Sequence, residues 1–178
     1  MTPATLRDVD VFEVDHPATQ TYKRTFSDHR VPLSRSLRFV PVDFECDRLD
    51  QKLVGSGYDP TRRTAWIWEG VTTYLDDEAV RATLDSVAAL SAPGSRLIVQ
   101  YREPAVEDSM QRGMRAAVRR RGEPQIGLRT RTTMRAELER AGIHQISDDG
   151  AVDWAVRYGG AAPLAVARPL RLIVGERR

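Results

Sequence analysis

Short strand-like runs alternate regularly with longer helical segments along this chain, and this pattern limits the folds that it can adopt. The strand-like runs are rich in β-branched and aromatic residues and cover 9–14, 37–42, 64–68, 95–101, 143–146 and 170–174. Helical patterns fill the intervals at 17–29, 45–54, 76–91, 103–121 and 132–141. This alternation predicts an α/β fold, in which helices cover both faces of a doubly wound, mostly parallel sheet.

Several local signals refine this prediction. The run 64–68 is almost continuously apolar, which predicts a strand buried on both faces, with Trp66 and Trp68 in the core. Asp76 opens the clearest helix, because acidic residues in a first turn suit the helix dipole. Thr132 is predicted to cap a later helix. Cys46 is interpreted as a small buried or half-buried residue.

The bulk properties predict one soluble, cytoplasmic domain spanning 1–178. Hydrophobic residues make up 41%, enough to build a core. No apolar run reaches the roughly 20 residues of a membrane span, and residues 1–10 lack the apolar region of a secretory signal. With one cysteine, no internal disulfide can form. The net charge of +2 is too small to indicate nucleic-acid binding, and the basic cluster at 112–121 is interpreted as a solvated helix face.

Doubly wound sheets bind ligands beyond the carboxyl ends of their strands, which directs attention to Asp15, Asp43, Glu69 and Tyr101. A carboxylate after the second strand of a nucleotide-binding unit typically accepts hydrogen bonds from ribose hydroxyls. One at the next strand end can accept from an exocyclic amine. Each could equally be a helix cap or turn residue. The three carboxylates of Asp15, Asp43 and Glu69 follow successive predicted strands, and together they favour a shared ligand.

Five segments carry a more specific pattern. They are Phe-Glu-Val-Asp-His-Pro at 12–17 followed by Gln20, Lys23 and Arg24, Phe-Val-Pro-Val-Asp-Phe at 39–44, Trp-Glu-Gly-Val-Thr-Thr-Tyr-Leu at 68–75, Ser-Ala-Pro-Gly-Ser at 91–95 and Gly-Glu-Pro at 122–124. From about residue 9 to the C-terminus, this pattern resembles the leucine carboxyl methyltransferase family, and it closely resembles the bacterial S-adenosylmethionine-dependent O-methyltransferases of that family. Phe44 departs from the family, where leucine is usual.

The resemblance implies a Rossmann-like class I methyltransferase fold, S-adenosylmethionine as cofactor and no metal. It implies that Asp15 holds the ribose hydroxyls of the cofactor. Asp43 would accept from the adenine amino group, and the backbone N–H of Phe44 would reach a ring nitrogen.

For the second half of the site, the resemblance implies that Glu69 lies near the methionine end of the cofactor. Tyr74 would line the pocket near the transferred methyl and is the candidate catalytic residue. Residues 103–124 correspond to a helical lid over the substrate.

The implied function is O-methylation of a small-molecule carboxylate or hydroxyl group. A carboxylate is already ionised at pH 7, whereas a hydroxyl acceptor needs a base within hydrogen-bond reach. His16, His29 and Tyr74 are the candidates by residue type. The default interpretation of both histidines is that they are ordinary helix-surface residues.

One expected element is missing from the sequence. The glycine-rich turn of such folds precedes the ribose carboxylate by about 20 residues, but only 14 residues precede Asp15 and none is glycine. We therefore expect a domain truncated at its N-terminus, with two open strand edges. A second copy or a full-length relative could close the sheet. The alternatives are a fragment of a longer product, an inactive partner or regulatory subunit, or an enzyme of different chemistry using the same pocket.

Overall fold

The computed structural model describes residues 6–27, 32–104, 126–160, 167 and 169–178. These form two compact units, Met1–Pro60 and Thr61–Arg178. Beyond Pro104, the predicted lid lies outside the described residues, as do the basic cluster, His29 and the Gly-Glu-Pro motif. Within the described ranges, no helix combines the length and apolarity needed to cross a membrane.

The first unit is a strand–helix–strand–helix arrangement, as predicted. Its elements are β1 (Asp10–Asp15), α1 (Pro17–Ser27), β2 (Ser36–Pro41) and α2 (Leu49–Gly55). β1 and β2 pair in parallel, with Asp10 opposite Ser36 and Asp15 opposite Pro41. The core of this unit contains buried apolar side chains from β2, α2 and the flanking loops, namely Val40, Val42, Leu49, Leu53 and Tyr58.

Helix α2 starts later than the predicted residue 45. The backbone N–H groups of Cys46 and Asp47 both donate to the carbonyl of Asp43, at 3.1 and 2.7 Å, and this closes a turn before the helix. The turn projects Cys46 outward, so the thiol is exposed and the prediction of a buried or half-buried cysteine is wrong.

The second unit holds a four-stranded mixed sheet in the order β3-β4-β6-β5. β3 and β4 are parallel, whereas β6 runs antiparallel to both of its neighbours. The elements are β3 (Ala65–Trp68), a 3₁₀ turn (Thr72–Tyr74), α3 (Asp77–Ala89), β4 (Arg96–Arg102), α4 (Arg131–Arg140), β5 (Ile143–Gly150), α5 (Ala151–Tyr158) and β6 (Leu170–Arg177). The predicted α/β class is confirmed, with the parallel pattern broken at β6.

Strand β3 is buried on one face only. Trp68 is 8% exposed, as predicted, and Trp66 is half-buried with its Nε1 donating to Ser91 Oγ at 2.8 Å. Ile67 points to the opposite face and is 72% exposed, so the prediction of burial on both faces is wrong. The reason is that, among the described residues, nothing covers the Ile67 face of β3.

The N-caps of α3 and α4 show that these two helices begin at residues other than those predicted. Asp76 accepts from the N–H of Ala79 at 2.8 Å and is the N-cap of α3, immediately before the helix. Thr130, not Thr132, caps α4, since its Oγ1 accepts from the N–H of Thr133 at 3.1 Å. Each cap supplies an acceptor for an N–H that has no partner within the helix.

Candidate functional site

The first group of candidate residues lies where β1 and β2 end side by side. Asp15 is the last residue of β1. The N–H of Val42 donates to the carbonyl of Asp15 at 2.9 Å, which extends the parallel ladder past β2, and Asp43 follows directly. The strand register therefore brings Asp15 and Asp43 to the same edge, as the sequence predicts.

The Asp15 carboxylate is held from two sides. Its Oδ1 accepts from the backbone N–H of His16 at 2.8 Å, and its Oδ2 lies 2.6 Å from Lys23 Nζ. The same ammonium lies 2.7 Å from Glu13 Oε1. The hydrogen bonds to Asp15 and Glu13 raise the pKa of Lys23 above its ordinary value. The Asp15 side chain is 19% exposed, so it is partly shielded while still reachable.

Asp43 organises the turn that follows β2. Its Oδ1 accepts from the N–H of Glu45 at 3.0 Å, and its own N–H donates to Asp47 Oδ2 at 3.1 Å. The thiol of Cys46 also donates to the Asp43 carboxylate, and this hydrogen bond raises the pKa of Cys46. Phe44 is half-buried directly after Asp43.

His16 lies between the two carboxylates. Its Nδ1 accepts from the N–H of Ala18 at 3.2 Å, and its Nε2 is 3.9 Å from Asp43 Oδ2. An accepting Nδ1 carries no proton, so the neutral ring has its proton on Nε2, toward Asp43. His16 therefore caps the start of α1 and has no free acceptor nitrogen in this arrangement.

The second group lies after β3. Glu69 is exposed, and Gly70 adopts φ +75°, a left-handed conformation that favours glycine. Gln100 on the neighbouring strand β4 secures this loop, because its Oε1 accepts from the N–H of Gly70 at 3.1 Å and its carbonyl accepts from Thr72 Oγ1 at 2.7 Å. The 3₁₀ turn then presents Tyr74, which is 38% exposed.

A buried arginine, Arg129, connects the elements next to the loop that carries Glu69 and Tyr74. The side chain of Arg129 is 1% exposed, and its Nε donates to Glu137 Oε2 at 3.0 Å. Its Nη2 donates to Asp77 Oδ1 at 3.0 Å, and its Nη1 to the carbonyl of Gly127 at 3.1 Å. These bonds connect α4, the start of α3 and the segment before α4 at one point.

Gly127 packs directly against the loop that carries Tyr74. Its N–H donates to the carbonyl of Thr73 at 3.0 Å. A Cβ at this position would overlap the carbonyl oxygens of Thr72 and Leu75. Only glycine therefore allows this close approach, which fixes the backbone of the 3₁₀ turn.

A third cluster was not predicted from the sequence beyond Tyr101 itself. The Tyr101 residue is fully buried, and its hydroxyl lies 2.9 and 3.0 Å from the two oxygens of Asp148. Asp148 also accepts from Arg171 Nε at 2.8 Å and Arg131 Nε at 3.2 Å. An open pocket of about 430 Å³ is lined by residues of this cluster and the start of α5. Asp148 lies on β5, and its hydrogen bonds to Tyr101 on β4 and Arg171 on β6 connect these three strands.

Tyr101 gives a testable pH dependence. Desolvation, and then the hydrogen bond to Asp148, raise the pKa of Tyr101 above its ordinary value of about 10. A raised pKa in the folded state contributes stability that is complete below pH 10 and is lost as the pH rises beyond it. We expect the stability advantage of the unsubstituted chain over Tyr101→Phe to shrink by about 0.8 kcal/mol between pH 8.5 and 10.5. Urea unfolding at both pH values measures this, and a constant advantage would contradict it.

The predicted site residues thus fall into two described groups. Asp15, Asp43 and Phe44 lie together in the first unit, and Glu69 and Tyr74 share one loop of the second. Sequence reasoning assigned no role to the side chains that hold them, namely Gln20, Lys23, Gln100 and Arg129. The spacing of Gln20 and Lys23 could have indicated such a role. They are three residues apart, and so share one face of a helix that directly follows the strand ending at Asp15.

Comparisons with known proteins concern the family and the fold of the chain. Residues 2–88 match the sequence profile of the leucine carboxyl methyltransferase family. A Mycolicibacterium vanbaalenii protein with the provisional name S-adenosyl-L-methionine-dependent methyltransferase is 39% identical over 114 residues, which are 63% of this chain and 37% of that protein. The chain therefore spans little more than a third of the length of this relative.

Solved structures show the fold. A DUF574 family protein of Streptomyces avermitilis superposes with a TM-score of 0.69 at 17% identity, covering 98% of this chain and 68% of that one. Mitomycin 7-O-methyltransferase gives 0.59 at 18% identity, covering 94% and 41%. The architecture is that of the Rossmann-like class I methyltransferases. Over residues 2–88, the sequence is similar to that of the leucine carboxyl methyltransferase family.

Proposed function

We propose that this chain binds S-adenosylmethionine and serves O-methyl transfer to a carboxylate or hydroxyl group of a small molecule. The observation that carries the proposal is the pair of carboxylates, Asp15 and Asp43, at the carboxyl ends of adjacent parallel strands. The family match and the name of the Mycolicibacterium relative support the choice of cofactor. The O-methyl specificity is supported by the resemblance of the motifs around these residues.

The residues present in the first unit fit an adenosine group. An ionised carboxylate offers about four lone-pair sites. The described contacts of Asp15 place one donor on each oxygen, which leaves a site on each for a ribose hydroxyl. Asp43 would accept from the adenine amino group and the N–H of Phe44 would donate to a ring nitrogen. In the second unit, Glu69 would face the amino-acid end of the cofactor.

The bound cofactor would supply an electrophilic methyl group on a sulfonium. The chain's own residues would then align the acceptor and exclude water, because an in-line displacement depends mainly on orientation. A carboxylate acceptor needs no base. For a hydroxyl acceptor, Tyr74 is the better candidate of the described residues, since His16 Nδ1 already accepts from the N–H of Ala18.

Each of the two sheets has a strand edge to which a further strand could be added. Among the described residues, β1 pairs only with β2, and β3 pairs only with β4. Each therefore has one edge able to accept a further strand. We propose that a second copy of this chain or a longer relative supplies strands at these edges. We further propose that the substrate is a small molecule, with no role for nucleic acid.

Methyl transfer tests the proposed function directly. The chain, alone and mixed with a longer relative, is incubated with S-adenosylmethionine carrying a tritiated methyl group and a panel of small carboxylates and hydroxylated compounds. We expect label to reach an acceptor, and the label transferred to fall at least tenfold with Tyr74→Phe if the acceptor is a hydroxyl. No transfer under any of these conditions would contradict the proposal of activity.

A further inference from the structure

Four side chains at the end of β1 form one network. Glu13 and Asp15 lie two positions apart on a strand, so they project from the same face. Gln20 and Lys23 lie three positions apart on α1, so they also share a face. Because only His16 separates the strand from the helix, the two faces meet immediately after the turn.

The contacts within this network converge on Lys23. Its ammonium lies 2.6 Å from Asp15 Oδ2 and 2.7 Å from Glu13 Oε1. Gln20 is 4% exposed, and its Nε2 donates to the carbonyl of Glu13 at 3.0 Å and approaches Glu13 Oε2 at 3.4 Å. Buried Gln20 therefore anchors Glu13, and Glu13 holds Lys23 against Asp15.

We propose that Lys23 is a positioning residue, which aims the Asp15 carboxylate at the ribose of the adenosyl cofactor and so sets the preference for ribose over deoxyribose. This inference rests on the proposed function. Lys23 reaches Asp15 Oδ2 while the N–H of His16 reaches Oδ1. Donors on both oxygens restrict rotation of the carboxylate, and the remaining lone pairs then face two neighbouring hydroxyls together.

Electrostatics favour the same role. Glu13 and Asp15 are like charges on one strand face, and the ammonium between them offsets their repulsion. Without Lys23, the two carboxylates would repel each other, and Asp15 would be free to rotate toward solvent. Arginine retains the charge and can still donate to both carboxylates, whereas methionine keeps only the length of the side chain.

The test compares two ligands, S-adenosylhomocysteine and its 2′-deoxyribose analogue, on four proteins. These are the unsubstituted chain, Lys23→Met, Lys23→Arg and Lys52→Met, each first shown to be folded by circular dichroism. Lys52 is the matched control, because it also forms an exposed ion pair in the first unit, at 3.1 Å from Asp47. Isothermal titration gives each dissociation constant.

We expect the unsubstituted chain to prefer the ribose ligand by about tenfold, the value of one hydrogen bond to a charged group. Lys23→Met should bind S-adenosylhomocysteine about tenfold more weakly, with the ribose preference reduced to about threefold or less. Lys23→Arg should restore most of both, and Lys52→Met should match the unsubstituted chain.

A full ribose preference in Lys23→Met would overturn the inference and leave the proposed function standing. The same would follow if Lys52→Met lost as much affinity, because the effect would then not be specific to Lys23. No binding of either ligand by the folded, unsubstituted chain would overturn the proposed function, and the inference with it.

Discussion

Replacing Arg129 with methionine is expected to lower the free energy of unfolding of the unit Thr61–Arg178 by about 3–5 kcal/mol. The Arg129 side chain is 1% exposed and that of Glu137 is 8% exposed. The substitution leaves the Glu137 carboxylate buried without its cation, and the carbonyl of Gly127 loses a donor. Urea unfolding followed by tryptophan fluorescence measures the loss, and the signal is local because Trp66, Trp68 and Trp154 all belong to this unit.

Two further variants make this prediction specific. Arg135→Met removes an exposed ion pair with Glu139 on the same helix, and we expect it to cost less than about 0.5 kcal/mol. The double variant Arg129→Met with Glu137→Met should be more stable than Arg129→Met alone, because no buried charge remains unpaired. A loss below about 1 kcal/mol for Arg129→Met, or a double variant less stable than the single one, would contradict this account.

Replacing Asp15 with alanine is expected to weaken binding of S-adenosylhomocysteine about 100-fold. Two ribose hydroxyls would each lose a hydrogen bond to a charged acceptor, worth at least about 1.5 kcal/mol apiece. The substitution also releases Lys23 from one of its two carboxylate partners. Isothermal titration of both proteins measures the difference.

Asp50→Ala is the matched control for Asp15→Ala. Asp50 is likewise an ion-paired aspartate of the first unit, 2.7 Å from Arg48 Nη2, and it lies at the start of α2 and not at a strand end. We expect its affinity to stay within about twofold of the unsubstituted chain. Equal affinities for Asp15→Ala and the unsubstituted chain would show that this carboxylate does not hold the ribose.

The sequence could predict those features that depend on local pattern. The content of β-branched and aromatic residues located β2, and the acidic first turn located α3. The placement of Asp15 and Asp43 at one edge followed from the parallel arrangement, since successive parallel strands end on the same side of a sheet.

The remaining features depend on contacts between distant residues. Asp148 and Asp149 resemble a turn in the sequence, yet they continue β5, because Arg171 on β6 neutralises Asp148 and Arg157 neutralises Asp149. Helix α5 was not predicted at all. It spans only eight residues, which is shorter than the window over which helical spacing of apolar residues is decisive. Its apolar side chains Val152, Trp154, Val156 and Tyr158 are exposed.

The supporting residues of the candidate site were missed for a similar reason. Arg129 carries a charge, and charged residues are expected at the surface. Its burial follows from partners 8 and 52 positions away in the chain, Glu137 and Asp77. No periodicity within a short window can show such a pairing.

Isothermal titration of the unsubstituted chain with S-adenosylhomocysteine, run beside a determination of its mass in solution, tests directly whether the chain binds the cofactor. We expect saturable binding, by an assembly larger than one chain or by the chain mixed with a longer relative. A correctly folded sample that releases no heat of binding in either form would contradict this expectation. The carboxylates at Asp15 and Asp43 would then have no role in holding the cofactor, and the search would turn to partner proteins.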